Sequence, residues 1–220
     1  MSATPANQTT AARFTYDGAG NPNTDPGVGA ITYTAGDQMA SVTKAGGPTA
    51  TYTYAGVGNG ELISQTLPTG ATYKYTYGRT GVAGKPVIEQ VAVANGTAYS
   101  ENDATGTPIM IRTSAGQQAL YVYDNLGSPV ALITSFDTTS FVYSFDPFGA
   151  ATHTQDSGGN GTPQTPFLYT GGLNDRTTGW TLNGARYYRR RTLDPERHPR
   201  RTPRPHQRQP LRLRRQQYSE

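Results

Sequence analysis

The nine residues YVYDNLGSP, at positions 121–129, indicate how this chain folds, because a close copy, FTYDGAGNP, stands at 14–22. Both follow the pattern aromatic-x-Tyr-Asp-x-x-Gly-x-Pro. In an extended strand, side chains two residues apart lie on the same face, so the paired aromatic residues can stack on a neighbouring repeat. The Asp can bind backbone N–H groups of the next turn, and the Gly permits the positive φ that closes a hairpin. Each copy therefore predicts a β-hairpin.

Related aromatic-x-aromatic triplets recur along the chain, and most of them are separated by 17 to 26 residues, with one larger step of 48. A period near 20 residues without helical periodicity is typical of one hairpin per repeat. We therefore predict an all-β fold of about 12 to 15 short antiparallel strands, in hairpins stacked side by side. The triplets are FTY (14–16), YTY (52–54), YKY (73–75), YVY (121–123), FVY (141–143) and FLY (167–169), with ITY (31–33) as a weaker copy.

The charge of the chain changes abruptly at Arg189. Residues 189–220 contain 11 Arg and three acidic residues, whereas residues 1–188 contain 8 basic and 12 acidic residues. The sequence pI near 9.3 is thus a property of the tail and does not indicate a basic domain surface. We expect three parts: a disordered N-terminus (1–11), a β-sheet repeat region (12–188), and a disordered Arg/Pro/Gln-rich tail (189–220).

Sequence patterns of enzymes are missing. The chain has no Cys, and its three His, at 153, 198 and 206, do not have the spacing of metal ligands. The Gly-rich stretches at 18–23 and 56–61 lack the full spacing and the following helix of a phosphate loop. We therefore expect no enzyme activity, no cofactor and no metal site. No apolar run is long enough for a membrane helix, and the first residues lack the apolar core of a signal peptide.

Two further stretches carry a family resemblance: YSFDPFGAATHT (143–154) and TPFLYTGGLNDRTTGWTLNGARYY (165–188). Together with the triplets, they resemble the YD repeat of Rhs (rearrangement hotspot) proteins, which also occurs in teneurins and in insecticidal toxin-complex shell subunits. The resemblance covers about residues 14 to 188. The final stretch is similar to the start of the family's C-terminal core signature. Its matching residues are Pro166, Phe167, Tyr169, Gly171, Asp175, Thr178, Gly179, Ala185, Arg186, Tyr187 and Tyr188, with Trp180 in an aromatic slot.

The resemblance implies a structural role. The repeats would form a curved, open fragment of a β-shell, which in full-length relatives encapsulates a C-terminal toxin, and the parent protein would be secreted or at the cell surface. The open alternative is a cell-surface module that binds carbohydrate or protein, with Tyr and Trp recognising glycans. Unpaired sheet edges would also favour self-association.

The resemblance assigns structural roles to two groups of residues. The repeat-motif group is Phe14, Tyr16, Asp17, Gly20, Tyr121, Tyr123, Asp124, Gly127, Tyr143, Asp146, Pro147 and Gly149. The core-signature group is Pro166, Phe167, Tyr169, Gly171, Gly179, Trp180, Arg186, Tyr187 and Tyr188. For the Asp residues, capping of turns is favoured over acid–base catalysis, because their repeat spacing does not show two carboxylates at a catalytic separation.

The family signature continues after Ala-Arg-Tyr-Tyr with elements that this chain lacks. One choice of codons for residues 206–219, translated from the second nucleotide, encodes TNANRYAYAGNNT, which is close to the missing element. We therefore predict a one-nucleotide frame shift next to Tyr188, which would make residues 189–220 an out-of-frame tail and the chain a truncated fragment. The less favoured alternative is an evolved role in binding nucleic acid; non-specific binding of polyanions is expected from the charge alone.

Overall fold

The fold is nearly all antiparallel β-structure, as the sequence predicts. A computed structural model of the protein describes residues 13–56, 60–81, 84, 86–135, 138–155, 165–184 and 186–189. Fourteen strands form one sheet in which each strand pairs with its neighbours in the chain, and three short strands form a second sheet. The predicted count of 12 to 15 strands matches the large sheet but omits the second. In the described ranges, no helix has the length and apolar character needed to cross a bilayer.

The large sheet consists of β1 (Thr15–Tyr16), β2 (Pro22–Asp25), β3 (Gly29–Tyr33), β4 (Met39–Thr43), β5 (Thr49–Ala55), β6 (Glu61–Thr66), β7 (Thr72–Thr80), β8 (Pro86–Val93), β9 (Gly96–Asn102), β10 (Pro108–Thr113), β11 (Gln118–Tyr123), β12 (Pro129–Ser135), β13 (Thr138–Phe145) and β14 (Ala151–Gln155). The small sheet consists of β15 (Leu173–Asn174), β16 (Thr181–Asn183) and β17 (Arg186–Tyr188). The predicted N-terminal segment 1–11 and tail residues 190–220 lie outside the described residues.

One turn geometry is used repeatedly between strands. In the turn after β11, the Gly127 N–H donates to the Asp124 carbonyl (3.2 Å) and the Asp124 N–H donates to the Ser128 carbonyl (3.0 Å). Gly127 has φ of 78°, in the left-handed region. This pair of bonds encloses a three-residue hairpin loop whose last residue must have positive φ. The same pair of bonds occurs in the turns that start at Asp17, Thr34, Leu67, Asp103, Thr113, Asp146 and Leu168.

A β-bulge is repeated in the even-numbered strands from β2 to β12. Tyr54 pairs with Leu62 while Thr53 pairs with Ser64, so Ile63 is an extra residue in β6. The bulge brings Leu62 and Gln65, three residues apart, to the same buried face. The same three-residue spacing across a bulge relates Pro22 to Asp25, Met39 to Val42, Ile88 to Val91, Pro108 to Ile111, and Pro129 to Leu132.

Tyrosine hydroxyl groups tie four strands to the strand before each of them, and one donor, Tyr77, lies two residues beyond the triplet YKY (73–75). Tyr54, the second aromatic residue of its triplet, donates to the Met39 carbonyl at 3.0 Å. Equivalent bonds run from Tyr33 to Pro22 (3.1 Å), from Tyr77 to Leu62 (3.1 Å) and from Tyr123 to Pro108 (2.6 Å). Each acceptor lies at the first or second residue of the preceding strand. These bonds fix the register of each strand pair at the position of the bulge.

The buried core lies between the large sheet and the C-terminal residues. One cluster combines residues from β3–β8, such as Val42, Leu62 and Val91, with Phe167, Leu173, Trp180 and Leu182. A second cluster of Ile111, Ala119, Leu132, Phe141 and Tyr143 has Leu168 packed against it. Residues 165–184 and 186–189 are named the C-terminal cap, and the sheet face that they cover is named the inner face.

Candidate functional site: the inner face under the C-terminal cap

The cap contacts the inner face through aromatic side chains. Trp180 is only 6% exposed and packs edge-on against Tyr187, with ring centroids 6.4 Å apart. Tyr187 in turn packs edge-on against Tyr52 of β5, also at 6.4 Å. Its hydroxyl lies 3.3 Å from that of Tyr54. Burial raises the pKa of Tyr54 to about 12 and raises that of Tyr187 well above its usual value.

Asp175 makes a buried polar contact between the cap and β6. One carboxylate oxygen accepts hydrogen bonds from the Thr177 N–H (3.1 Å), the Thr178 N–H (2.6 Å) and the Thr178 hydroxyl (2.7 Å). The other accepts from Nε2 of Gln65 at 2.9 Å. Asp175 is 3% exposed and Gln65 0%. Burial raises the pKa of Asp175, and the hydrogen bonds from Thr178 oppose that effect.

A second polar contact joins the end of the cap to β2. Asp25 is 1% exposed, and its Oδ1 accepts from the Gly27 N–H (2.8 Å) and from a terminal nitrogen of Arg189 (3.2 Å). The Arg189 Nε lies 2.7 Å from Oδ2 as an ion pair. The guanidinium also lies over the Phe14 ring, 4.1 Å from its centroid. Arg189, the first residue of the expected tail, is therefore in contact with the repeat region.

Both contacts use the same structural position. In each of the six bulged strands, the bulge relates two residues that are three positions apart. The second residue of the pair is apolar in four strands (Val42, Val91, Ile111 and Leu132) and polar in the other two. Those two polar residues are Asp25 and Gln65, and each is bound by a cap residue. Because an unpaired polar group in this position would be costly, the two contacts fix where the cap lies along the inner face.

The repeat-motif Asp residues lie at turns. Oδ1 of Asp124 accepts from the N–H groups of residues 126 and 128, both at 2.8 Å. Asp17 and Asp146 accept from the N–H groups two and four residues later in the same way. The backbone N–H of Asn21 is the first cause of a lowered pKa at Asp17. Their carboxylates are occupied by their own turns, so the structure does not bring them together as a catalytic pair.

The other predicted residues divide between the inner face, the turns and the surface. Tyr16 of the edge strand β1 and Phe14 just before that strand are exposed, whereas Tyr121 and Tyr123 stack at 5.6 Å and Tyr143 is buried. All five predicted glycines, Gly20, Gly127, Gly149, Gly171 and Gly179, have positive φ. Tyr169 stacks on Tyr188 at 5.8 Å. Pro166 and Phe167 are buried in the cap, and Pro147 and Arg186 are exposed.

Sequence reasoning missed Gln65, Asp25 and the pairing role of Asp175. The signal for Gln65 and Asp25 is a polar residue at a position that is apolar in the other bulged strands. The bulge interrupts the alternation of side chains, so this set of equivalent positions is not visible in the sequence. Asp103 was also missed; its side chain accepts from the N–H groups of Thr105 (2.8 Å) and Thr107 (2.9 Å), as in the other turns. The Asp103 turn lies within SENDATG (100–106), and no aromatic triplet precedes it to reveal it.

Comparison with known proteins finds relatives by sequence and by structure. Over 192 residues, the chain is 30% identical to the tRNA3(Ser)-specific nuclease WapA of Bacillus spizizenii. Its fold resembles the TcdB2-TccC3 crystal structure (TM-score 0.58, 15% identity) and the TcdB2-TccC3-Cdc42 crystal structure (TM-score 0.57, 16% identity). No family model matches the chain.

The matches involve most of this chain and little of the other proteins. The sequence match covers 83% of this chain and 8% of the nuclease. Each structural match covers 79% of this chain and 9% of the other. The structural likeness shows that the fold is shared, and the sequence likeness relates the repeats to one stretch of a much longer protein.

Proposed function

We propose that this chain is a structural segment of an Rhs-type β-shell and acts as a scaffold. The aromatic repeat, the likeness to a stretch of the WapA nuclease and the fold shared with TcdB2-TccC3 all support this assignment. The core-signature assignment of residues 165–188 belongs to the same proposal. The residues that resemble this signature form the cap, which packs on the repeats.

The burial of the inner-face aromatic residues carries the proposal. Trp180, Tyr52 and Tyr75 are each at most 6% exposed, and they pack against one another and the cap. A glycan platform needs an aromatic face that is open to solvent. The inner face instead uses its aromatic residues as a packed core, which favours a scaffold over the alternative of a carbohydrate-binding module.

The complete protein from which such a segment derives would enclose a C-terminal toxin and be secreted or displayed at the cell surface. The chemistry of that protein would reside in the enclosed domain. The repeat segment itself would have no catalytic activity, because its turn carboxylates are occupied by backbone N–H groups and Asp175 of the cap is buried against β6.

Activity and glycan-binding assays on the purified chain test this proposal. We expect no cleavage of tRNA or other nucleic acids, no protease activity and no self-cleavage. We also expect no saturable binding on a glycan array. Nuclease activity that is abolished by changing one named Asp, in a variant that still folds, would overturn the scaffold assignment. Specific glycan binding would instead support the binding-module alternative.

We also propose that the change of composition near Arg189 results from a shift of reading frame. The abrupt change of charge supports it, as does the family element that one choice of codons for residues 206–219 gives in a shifted frame. The pairing of Arg189 with buried Asp25 weighs against a break directly after Tyr188, since an out-of-frame residue is not selected for such a contact. Sequencing the gene and its downstream region tests the proposal; the family motif must appear in a shifted frame.

A further inference from the structure

Three arginines of the described chain lie over aromatic rings, and they differ in their acidic partners. Arg112 lies over Tyr99 (4.7 Å to the ring centroid), and Arg189 lies over Phe14. Each also forms an ion pair, Arg112 with Glu101 at 3.3 Å and Arg189 with Asp25. Arg176 lies over Tyr73 at 4.5 Å but has no carboxylate partner among the described residues.

Arg176 is held in place by the turn that contains it. The preceding residue, Asp175, is buried and binds the N–H groups of Thr177 and Thr178, and the Gly179 N–H donates to the Asp175 carbonyl (2.8 Å). The Tyr73 ring covers one face of the guanidinium. A guanidinium stacked on a ring keeps its N–H groups directed outward along its edge, where they can bind an oxyanion.

The guanidinium lines a cavity of about 420 Å³ that lies between the cap and strands β7–β10. This volume falls within the range of small-molecule sites, roughly 300–1,000 Å³. Among the described residues of its lining, Arg176 is the only charged one, and none of them is acidic. The remaining wall combines apolar groups, such as Val91 and Ala98, with small polar side chains.

Two polar side chains of the lining have hydrogen-bond donors that are not used within the described residues. Ser114 Oγ accepts from the Thr97 N–H at 3.2 Å, and its own proton has no acceptor among the described residues. Gln117 Oε1 accepts from the Thr113 hydroxyl, so the Gln117 amide nitrogen can donate elsewhere. A site of one fixed guanidinium and two neutral donors, beside an apolar wall, complements a carboxylate on a compact, partly apolar body.

We propose that this cavity binds a small carboxylate ligand. Arg176 engages the carboxylate bidentately, and the Tyr73 ring holds the Arg176 guanidinium in position. The carboxylate takes the place that Glu101 and Asp25 occupy beside the other two stacked arginines. This ligand site is additional to the scaffold role and does not depend on it. The carboxylate can come from an acidic sugar or from the C-terminus of a peptide.

Titrations of the full-length chain with glucuronate and with N-acetylalanine distinguish these two sources, and inorganic phosphate serves as a tetrahedral anion. The ¹⁵Nε resonance of Arg176 reports on the site itself, so the arginine-rich tail does not obscure the result. We expect saturable binding of at least one carboxylate, and weaker binding of phosphate because phosphate has no apolar part to pack against the apolar wall of the cavity. Glucuronate binding identifies a sugar source, and N-acetylalanine binding identifies a peptide source.

Matched variants complete the test. Arg176→Gln is expected to weaken binding at least about tenfold, which is the loss of one charge-assisted pair. Arg176→Lys should weaken binding less. Arg112→Gln, which changes another exposed arginine that lies over a ring, should leave binding unchanged. Thermal unfolding checks that the variants fold. Absence of carboxylate binding, equal binding by the Arg176→Gln variant, or phosphate binding as tight as that of the carboxylates would overturn the proposal.

Discussion

Gly127 and Gly149 occupy the same position in two turns but have different surroundings. Both have positive φ (78° and 83°), which costs other residues roughly 1–2 kcal/mol. A Cβ on Gly127 would meet nothing within 4 Å, whereas a Cβ on Gly149 would lie 2.5 Å from the Tyr169 ring of the cap. We therefore expect Gly127→Ala to lower the free energy of unfolding by about 1 kcal/mol and Gly149→Ala to lower it by clearly more. Urea denaturation of both variants measures the difference; equal losses would show that Tyr169 moves aside freely.

Asp175 gives stability an unusual pH dependence. Because burial raises its pKa in the folded chain, folded Asp175 still binds a proton at a pH where the unfolded chain has lost it. The contribution of Asp175 to stability is fully present below its pKa in the unfolded chain, and it is lost as pH rises through its pKa in the folded chain. We expect the stability of the wild type relative to Asp175→Asn to increase as pH falls from neutral towards 4. The comparison cancels Asp17 and Asp103, whose lowered pKa values act in the opposite direction. A stability difference between the wild type and Asp175→Asn that stays the same at every pH would contradict this prediction.

Sequence patterns predicted the hairpins and turns but could not predict which residues face the core. The triplets, the turn Asp residues and the turn glycines identify where strands begin and end. The repeated bulge changes the alternation of the strand that contains it, so Leu62 and Gln65 share a face although strict alternation would separate them. The cap contacts are also hidden, because Gln65 and Asp175 are 110 residues apart and meet only after folding.

The hydroxyl of Tyr123 tests the bonds that fix the strand register. It donates to the Pro108 carbonyl at 2.6 Å, whereas the Tyr99 hydroxyl has no hydrogen bond within the described part of the chain. We expect Tyr123→Phe to lower the free energy of unfolding by about 0.5–1.5 kcal/mol, the usual value of one hydrogen bond. Tyr99→Phe keeps its ring under Arg112 and should have almost no effect. A Tyr123→Phe variant as stable as the Tyr99→Phe control would show that the bulge alone fixes the register.

The repeats and the cap share one core, so we expect them to unfold together. Trp180, the single Trp of the chain, reports on the cap by fluorescence, while far-ultraviolet circular dichroism reports on the large sheet. Coincident transitions in denaturant are the signature of one cooperative unit. A fluorescence transition at lower denaturant than the dichroism transition would show that the cap detaches from a sheet that is stable without it.

Two truncated chains, one ending before Arg189 and one ending after it, test whether Arg189 stabilises the fold or belongs to the tail. A chain of residues 1–189 keeps the ion pair with Asp25, and we expect it to unfold at the same midpoint as the full-length chain. A chain of residues 1–188 leaves a carboxylate that is 1% exposed without its partner. Breaking a fully buried pair costs about 3–5 kcal/mol, and partial exposure of Arg189 reduces the expected loss to about 1–3 kcal/mol.

Adding Asp25→Asn to the 1–188 chain identifies the cause of that loss. The substitution removes the unpaired buried charge, so it should recover part of the lost stability, whereas in the 1–189 chain it should be destabilising. Denaturant unfolding of the four chains gives the coupling between the two residues. If the 1–188 and 1–189 chains are equally stable, Arg189 contributes nothing, and the repeat region ends at Tyr188 as its composition indicates. If the 1–189 chain is itself much less stable than the full-length protein, residues beyond 189 stabilise the fold, which an out-of-frame tail would not be selected to do.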